Sequence, residues 1–299
     1  MNKKILNCRL CNSSRLKLLY DGKFRTGGIG SSCSDNYSVY RCTICEYAQI
    51  EPCPKNLNEY YISEKYRKQF DYDTSVESIQ KNQDKEQNAR LDRIGIENLR
   101  QKKVLDMGCG PGLFLDAVKG VCSETYAIEP CKIYSDYLCS RHKKYFQFPQ
   151  DAINDKLKVD IVCSFDTIEH LKDPCSLVDQ AFKLLKPGGL FILSMPNHDD
   201  LILKTCFESF SSFFYMRAHV GYFNFKCVRK LLEKSRFTSP EFGYLHKYDL
   251  NNLIQWSKHG NPGSTKFNFF DRHFHTLYKA EIERLGIASH HFITASKPN

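Results

Sequence analysis

The sequence has no uninterrupted apolar run of the ~18–20 residues that a membrane-spanning helix needs. Its first residues carry charge but lack the apolar stretch of a secretory signal, and the chain shows no internal repeat or low-complexity segment. We therefore expect a cytoplasmic globular protein. Its 299 residues are enough for one large domain and a small one.

The chain is rich in cysteine, with 14 residues of this type. Without a secretory signal they are expected to be reduced thiols, some of which bind a metal. Two Cys-x-x-Cys pairs, Cys8 with Cys11 and Cys42 with Cys45, are separated by 30 residues. Each pair can grip one ion from a tight knuckle, and two knuckles complete a tetrahedral four-cysteine zinc site. Such a closed site is structural rather than catalytic.

Residues 1–56 are thus predicted to form a zinc-binding unit. A unit of this size buries too little apolar surface to fold alone, so the metal would supply much of its folding free energy. Residues 37–41 alternate like a strand that enters the second knuckle. Two alternatives stay open: Cys33 or Cys53 could replace one of the four ligands, or the thiols could be reduced with no metal bound.

The formal net charge of +9 is unevenly distributed. Residues 201–299 hold 14 Lys and Arg against 7 Asp and Glu, whereas residues 101–200 are nearly neutral. A basic C-terminal third that covers the substrate predicts an anionic acceptor. A solvated basic surface without a ligand is the other interpretation.

A glycine-rich phrase, Val-Leu-Asp-Met-Gly-Cys-Gly-Pro-Gly, follows a short apolar strand at residues 104–112. Gly108, Gly110 and Gly112 allow a tight turn that brings the backbone close to a ligand. About 20 residues on, Glu129 ends a second apolar strand, where a carboxylate can accept hydrogen bonds from two ribose hydroxyls. Together they indicate a nucleoside site in a doubly wound sheet.

The spacing of the glycines and the acid before them distinguish a SAM site from a dinucleotide site. In a dinucleotide fingerprint the third glycine comes one residue later, at the position of Leu113. Asp106 precedes the loop and would repel a pyrophosphate, but it suits a cofactor with an ammonium and a sulfonium, S-adenosylmethionine (SAM). A dehydrogenase and a glycine-rich turn without a ligand are the alternatives.

Strands alternate with helices through the rest of the chain, which predicts a parallel sheet with right-handed crossovers. The expected strands are 102–107, 124–129, 145–148, 159–165, 189–195, 239–246 and 290–296, the last forming a hairpin with the sixth. The expected helices are 77–100, 112–120, 131–142, 174–186, 224–235 and 270–285. The predicted fold is therefore α/β, a Rossmann-like doubly wound sheet of seven strands with a small N-terminal zinc-binding unit.

Three regions follow from this pattern. Residues 1–56 form the zinc-binding unit, residues 57–100 a linker with lid helices, and residues 101–299 the SAM-binding domain. An insertion near 250–286, which contains the loop Gly260-Asn-Pro-Gly263, is expected to cover the substrate.

The chain resembles a known group of enzymes. Its two Cys-x-x-Cys pairs, then Asn58-Glu-Tyr-Tyr61 and Tyr66, then Asp-x-Gly-x-Gly-x-Gly, are similar to the zinc-binding class I SAM-dependent methyltransferases of surface-polysaccharide and deoxysugar synthesis. The tyrosines would cover the cofactor or join the zinc-binding unit to the main domain. The phrases at 165–174, 185–189 and 195–197 resemble the ubiquinone-biosynthetic branch. Sugar C-methyltransferases carry a further C-terminal domain that this sequence does not contain, so O- or N-methylation is expected here.

The resemblance also implies residue roles. Asp106 and the glycines would hold the methionine moiety, and Glu129 the ribose. Asp151 would accept from the adenine amine while Ala152 offers its backbone. Ser164 and Phe165 would flank the transferring methyl group.

Transfer to oxygen also requires loss of a proton, to a general base or with help from a metal. Asp166, Glu169 and His170 could hold a divalent ion, since residues three and four apart share a helical face. The resemblance implies magnesium, with His219 as a further ligand. In the alternative interpretation the glutamate caps a helix, the histidine packs, and no metal is used.

His219 is the preferred candidate base, because it follows the fifth strand on the side where substrate enters and an imidazole titrates near working pH. It could instead merely bond to backbone, and His198 is the second choice. We expect methyl transfer to an oxygen or nitrogen of a small anionic acceptor, a nucleotide sugar or glycan precursor. An RNA methyltransferase that docks nucleic acid on its zinc-binding unit is the alternative, although the N-terminal part has no basic run interleaved with aromatics. A non-catalytic SAM-binding protein is disfavoured by the intact cofactor residues.

Overall fold

A computed structural model of the chain describes residues 6–28, 30–63, 68, 73–262 and 270–299. Two features of the sequence, Tyr66 and the end of the loop at Gly263, lie outside the described residues. No helix among the described residues is long and apolar enough to cross a membrane.

The described residues form eleven strands. They are β1 (Leu16–Asp21), β2 (Ser38–Cys42), β3 (Ala48–Glu51), β4 (Lys103–Met107), β5 (Glu124–Ile128), β6 (Lys144–Phe146), β7 (Val159–Phe165), β8 (Leu185–Pro196), β9 (Gly221–Tyr222), β10 (Thr238–Leu245) and β11 (His290–Ser296).

Twelve α-helices connect and cover these strands in the described part of the chain. They are α1 (Leu57–Ile62), α2 (Val76–Ile94), α3 (Ile96–Leu99), α4 (Leu113–Val118), α5 (Ser135–Arg141), α6 (Pro149–Asn154), α7 (Pro174–Leu184), α8 (Leu201–Thr205), α9 (Phe207–Phe214), α10 (Phe225–Lys234), α11 (Leu250–His259) and α12 (Arg272–Arg284).

The large sheet has seven strands in the order β10-β11-β8-β7-β4-β5-β6. Strands β4 to β8 pair in parallel, and β11 runs antiparallel to both β8 and β10. The predicted doubly wound sheet, closed by a hairpin of its last two strands, is confirmed.

Residues alternate between the two faces of this sheet, and each face carries its own apolar cluster. Leu105 and Val162 belong to one cluster, whereas Val104 and Ile161 belong to the other. Strand β7 is buried almost throughout, as expected of a central parallel strand with helices on both sides.

The helix predicted over 77–100 is divided in two. It breaks at Gly95, whose φ of +78° lies in the left-handed region that glycine adopts without strain. On its apolar face Ile79, Ile94 and Leu99 are buried and Leu91 is partly buried. Helix α2 thereby packs beside α4, next to the glycine-rich loop.

A second, antiparallel sheet has the order β1-β2-β3-β9. Strands β1 and β2 lie between the first cysteine pair and Cys45, and β3 follows the second pair, but β9 comes from residues 221–222, far along the chain. The two knuckles also share one apolar cluster with the main sheet. The division at residues 56 and 100 stays a prediction.

The insertion near 250–286 contributes α11 and α12. Trp256 of α11 is buried against Phe210 and Phe213 of α9, with ring centroids 4.7 and 5.2 Å apart. The expected role of this insertion in covering the substrate stays a prediction.

Candidate active site

A cavity of about 760 Å³ opens at the carboxyl ends of β4, β5 and β7. This is where ligands bind in doubly wound sheets. Five of the predicted cofactor residues line it: Asp106, Gly108, Gly110, Glu129 and Phe165. The N-terminal helices close its other side with Asn58, Tyr61, Ile62, Gln83, Glu86, Gln87 and Arg90.

The glycine-rich loop makes two close approaches. Gly108 has φ of +81°, and a Cβ there would lie 2.7 Å from Cγ2 of Thr167. Gly112 has φ of +82° and starts α4, where a Cβ would lie 2.8 Å from Cδ2 of Leu138. Gly112 does not line the cavity, so its contact with the cofactor stays a prediction.

Glu129 ties the loop to the end of β5. Its Oε2 accepts a hydrogen bond from the Gly110 nitrogen at 2.7 Å, and its Oε1 accepts one from the Cys131 nitrogen at 2.9 Å. Each carboxylate oxygen can accept a second bond. The residue therefore shapes the loop, and its bond to the ribose hydroxyls stays a prediction.

Asp106 carries the most informative carboxyl group of the site. It is 3% exposed, and its Oδ1 has no hydrogen-bond partner among the described residues. Burial raises the pKa of Asp106 to about 7. A buried, unpartnered carboxylate at a cavity wall fits a ligand ammonium group, so the residues present fit SAM.

Besides Gly112, three residues predicted to contact the cofactor lie outside the cavity lining. Asp151 accepts a bond from the Phe148 nitrogen at 3.0 Å and closes the first turn of α6. Ala152 is fully buried, and Ser164 donates to the carbonyl oxygen of Met107 at 3.0 Å across the sheet. Their roles toward adenine and the methyl group stay predictions, with the cavity wall formed instead by Gln147, Phe148 and Pro149.

Asp166, predicted as a metal ligand, instead forms ion pairs with two cationic side chains. Its Oδ2 lies 3.1 Å from Nη2 of Arg90 and 3.0 Å from Nζ of Lys247, and its Oδ1 accepts from the Ser194 hydroxyl at 3.2 Å. Burial alone would raise its pKa, but the positive groups of Lys247 and Arg90 hold it well below its usual range. Because the charge of Asp166 is already compensated, the predicted metal-binding trio of Asp166, Glu169 and His170 finds no support in the geometry.

The structure brings together a different trio, Glu169, His170 and His219, whose candidate ligand atoms all lie within 4.8 Å of one another. Burial raises the pKa of Glu169 well above its usual range. Burial lowers the pKa of His219 well below its usual value. Magnesium prefers several oxygen ligands, so two imidazoles and one carboxyl group do not fit it.

Of the candidate bases, His170 reaches the cavity, whereas His219 is not among its lining residues. Nδ1 of His170 lies 3.0 Å from the carbonyl oxygen of Ala218 and 2.9 Å from the Tyr61 hydroxyl. His198 is buried with Nε2 2.9 Å from the Tyr215 hydroxyl, and burial lowers its pKa to about 3. The geometry therefore favours His170, and His198 has a structural task.

Sequence reasoning did not select Arg90. Its guanidinium lies 4.5 Å from the ring centroid of Phe165 as well as beside Asp166. The residue belongs to a polar helix whose sequence gives no sign of a site, so only the folded structure shows its place in the cavity.

The four expected metal ligands converge. Sγ of Cys8 lies 3.5 Å from Sγ of Cys45, and Sγ of Cys11 lies 3.5 Å from Sγ of Cys42. A tetrahedral zinc ion with Zn–S bonds of about 2.3 Å spaces its sulfurs about 3.8 Å apart, so the four thiols fit zinc.

Neither spare thiol joins this group. Cys33 and Cys53 are absent from the four-sulfur cluster in the described chain, and Cys53 instead lies 3.7 Å from Nη1 of Arg9. A ligand exchange with either cysteine therefore finds no support in the geometry.

A glycine-rich loop between a parallel strand and a helix, an unpartnered carboxyl beside it and an acid at the end of the next strand define a class I SAM-dependent methyltransferase. The family model described as a methyltransferase domain matches residues 79–273. The chain belongs to this family.

Curated relatives are similar over part of the chain. The ubiquinone biosynthesis O-methyltransferase of Psychrobacter arcticus is 32% identical over 111 residues, which are 34% of this chain and 43% of that protein. The mitochondrial ubiquinone biosynthesis O-methyltransferase of Candida albicans is 29% identical over 175 residues, 55% of this chain and 51% of that protein. The chain thus spans about half the length of these relatives.

Among solved structures, a SAM-dependent methyltransferase from Archaeoglobus fulgidus aligns with 70% of this chain and 92% of its own, at 19% identity and a TM-score of 0.49.

Proposed function

We propose that the protein transfers the methyl group of SAM to a hydroxyl oxygen of a small acceptor, with His170 as the general base. The observation that carries this proposal is the place of His170 at the cavity wall, with Nδ1 directed at a backbone carbonyl. A carbonyl only accepts hydrogen bonds, so Nδ1 carries the proton and Nε2 is the basic nitrogen.

The other residues of the chain bind and orient. Bound SAM supplies an activated methyl group, so the protein mainly aligns the acceptor and excludes water. Asp106 would pair with the ammonium group and Glu129 would accept from the ribose. Arg90 and Asp166 join α2 to the end of β7, which closes the cavity over this end of the sheet.

Oxygen is favoured as the acceptor atom for two reasons. A hydroxyl must lose its proton on methylation, and the site offers an oriented base. The curated relatives described above are O-methyltransferases by name. Lys172 lines the cavity and suits an anionic acceptor, so a nucleotide sugar or glycan precursor stays our prediction for its class.

The proposal is tested by incubating the protein with SAM and three acceptor sets: nucleotide sugars, an ortho-dihydroxybenzoate, and a short structured RNA. Release of S-adenosylhomocysteine and the mass of the acceptor are measured, with His170→Gln as the matched variant. Methylation of a hydroxyl in either small-molecule set, lost in the variant, supports the proposal. Methylation of RNA alone, or of an amine alone, overturns it.

A further inference from the structure

The segment that follows the second cysteine knuckle pairs with the loop that carries His219. Strand β3 begins three residues after Cys45 and lies antiparallel to β9, with Ala48 opposite Tyr222 and Gln49 opposite Gly221. The Ile50 nitrogen also donates to the carbonyl oxygen of Val220 at 3.2 Å. The zinc-binding unit and this distant loop therefore share one sheet.

Tyr47 fixes this junction. Its side chain is fully buried, and its ring lies 5.1 Å from that of Phe223, measured between centroids. A Cβ at Gly221 would lie 2.8 Å from Cζ of Tyr47. The close approach of the two segments, β3 with Tyr47 and β9, thus requires glycine at 221, since a buried tyrosine ring has no room to move aside.

The opposite side of the same loop holds the candidate base. The Val220 nitrogen donates to the carbonyl oxygen of Glu169 at 2.8 Å, and the Ala218 carbonyl oxygen lies 3.0 Å from Nδ1 of His170. The Tyr61 hydroxyl donates to that same carbonyl oxygen at 2.6 Å. A displacement of residues 218–222 would therefore remove the acceptor that orients His170.

We propose that the zinc-binding unit positions His170: its β3 strand, through β9 and the 218–222 loop, holds the Ala218 carbonyl against Nδ1. This inference rests on the role of His170 proposed above. It assigns the zinc-binding unit an internal task in place of a docking surface for nucleic acid. Its physical basis is that a small metal site supplies the folding free energy of the strand that follows it, and that a segment opens locally when the contacts that hold it weaken.

The test compares Gly221→Ala with Gly120→Ala. Gly120 is exposed and a Cβ there would meet nothing within 4 Å, so it is a matched control for the substitution itself. Both proteins are prepared with zinc, and hydrogen exchange of the peptide over 216–223, the zinc content, SAM affinity and the ring nitrogen NMR signals of His170 are measured. His170→Gln identifies those signals.

In Gly221→Ala we expect amide exchange at 218–222 to rise by about tenfold or more. The proton of His170 should no longer be fixed on Nδ1, and the midpoint of its titration should move, with one zinc per chain retained and SAM affinity within about twofold of wild type. Adding Tyr47→Phe should return the exchange rate and the His170 signals part of the way to wild type, because it removes the hydroxyl that lies nearest the added methyl group. That hydroxyl has no hydrogen-bond partner among the described residues, so its removal breaks no bond there.

Two outcomes would overturn the proposal. One is faster exchange at 218–222 with unchanged His170 signals, and the other is loss of SAM affinity in parallel, which would show a general loss of structure. Cys42→Ser should reproduce the His170 change when zinc is lost, and Gly221→Ala keeps the test valid if that variant does not fold. Because none of these readouts uses an acceptor, failure of the methylation assay leaves this test intact, and loss of positioning is distinguishable from an incorrect assignment of the base.

Discussion

Nη2 of Arg90 lies 3.1 Å from Oδ2 of Asp166, and this ion pair joins helix α2 to the residue that follows β7. Lys247 approaches the same oxygen to 3.0 Å from the opposite side. Asp166 therefore compensates two partly buried cations, whose side chains are 12% and 19% exposed. This arrangement makes Asp166 a structural support of the cavity rather than a metal ligand.

Asp166→Asn should destabilise the protein by on the order of 2 kcal/mol, since it leaves Arg90 and Lys247, two partly buried cations, with only Glu86 as a carboxylate partner among the described residues, and the site is not fully dry. The depressed pKa of Asp166 means that its stabilisation is present above the pKa of the unfolded chain and is lost as pH falls through the folded value. Urea unfolding at pH 7 measures the first effect, and a pH series from about 5 down to about 2 follows the onset of the second. Glu97→Gln, in an exposed pair with Arg100, is the control. Equal stability of Asp166→Asn and wild type at pH 7 would contradict the assignment.

Asp106→Asn should separate stability from binding. The folded pKa of Asp106 is raised to about 7, so wild type loses stability as pH rises from the unfolded pKa through this value. The variant should therefore melt at a higher temperature than unliganded wild type at pH 8, with a smaller difference at pH 5. SAM should bind the variant roughly tenfold to hundredfold more weakly at pH 7.5, because a charge-assisted bond to the ammonium is lost. Calorimetry with SAM and thermal scans check both, and a variant with full affinity would refute the assignment of the site.

Glu129→Gln should also weaken SAM binding, by about tenfold or more, because one of its two oxygens becomes an NH2 donor. The same change weakens the bonds to Gly110 and Cys131, so the loop should loosen as well. Glu124→Gln, at the other end of β5, is the matched control. Unchanged SAM affinity in Glu129→Gln would mean that the ribose is held elsewhere.

Sequence reasoning succeeded where neighbouring residues carry the signal. The loop at 104–112 and the acid at 129 belong to one strand–helix–strand unit, and the structure places Asp106, Gly108, Gly110 and Glu129 among the residues that line one cavity. Sequence reasoning failed where a residue or strand pairs with a segment that is distant in sequence and has no recognisable pattern of its own. Strand β9 has only two residues, too few for any periodicity, and Arg90 meets Asp166 across 76 positions of the chain. His170 could not be ranked above His219 because cavity access depends on the fold of the 218–222 loop.

Cys42→Ser should release zinc, since a site with three thiolates loses much of its metal-binding free energy. Cys53→Ser should keep one zinc per chain, because that thiol is outside the four-sulfur group. Elemental analysis of the purified proteins decides the matter. Wild-type protein without zinc, or zinc loss in both variants, would show that the four-cysteine assignment is incorrect.

His170→Gln should lower kcat by about 10²–10⁴-fold while SAM affinity stays within about twofold, because the residue is proposed to remove a proton and not to hold the cofactor. His219→Gln should have the smaller effect, since that ring does not line the cavity and its centroid lies 4.9 Å from the ring of His170, where it acts by packing. The measurement is turnover of the hydroxyl acceptor found in the panel, with and without magnesium. The donor set around Glu169 does not fit magnesium, so added magnesium should change turnover by less than about twofold. A larger loss in His219→Gln than in His170→Gln would overturn the assignment of the base and make His219 the catalytic candidate. A requirement for magnesium would overturn the proposed metal-independent mechanism.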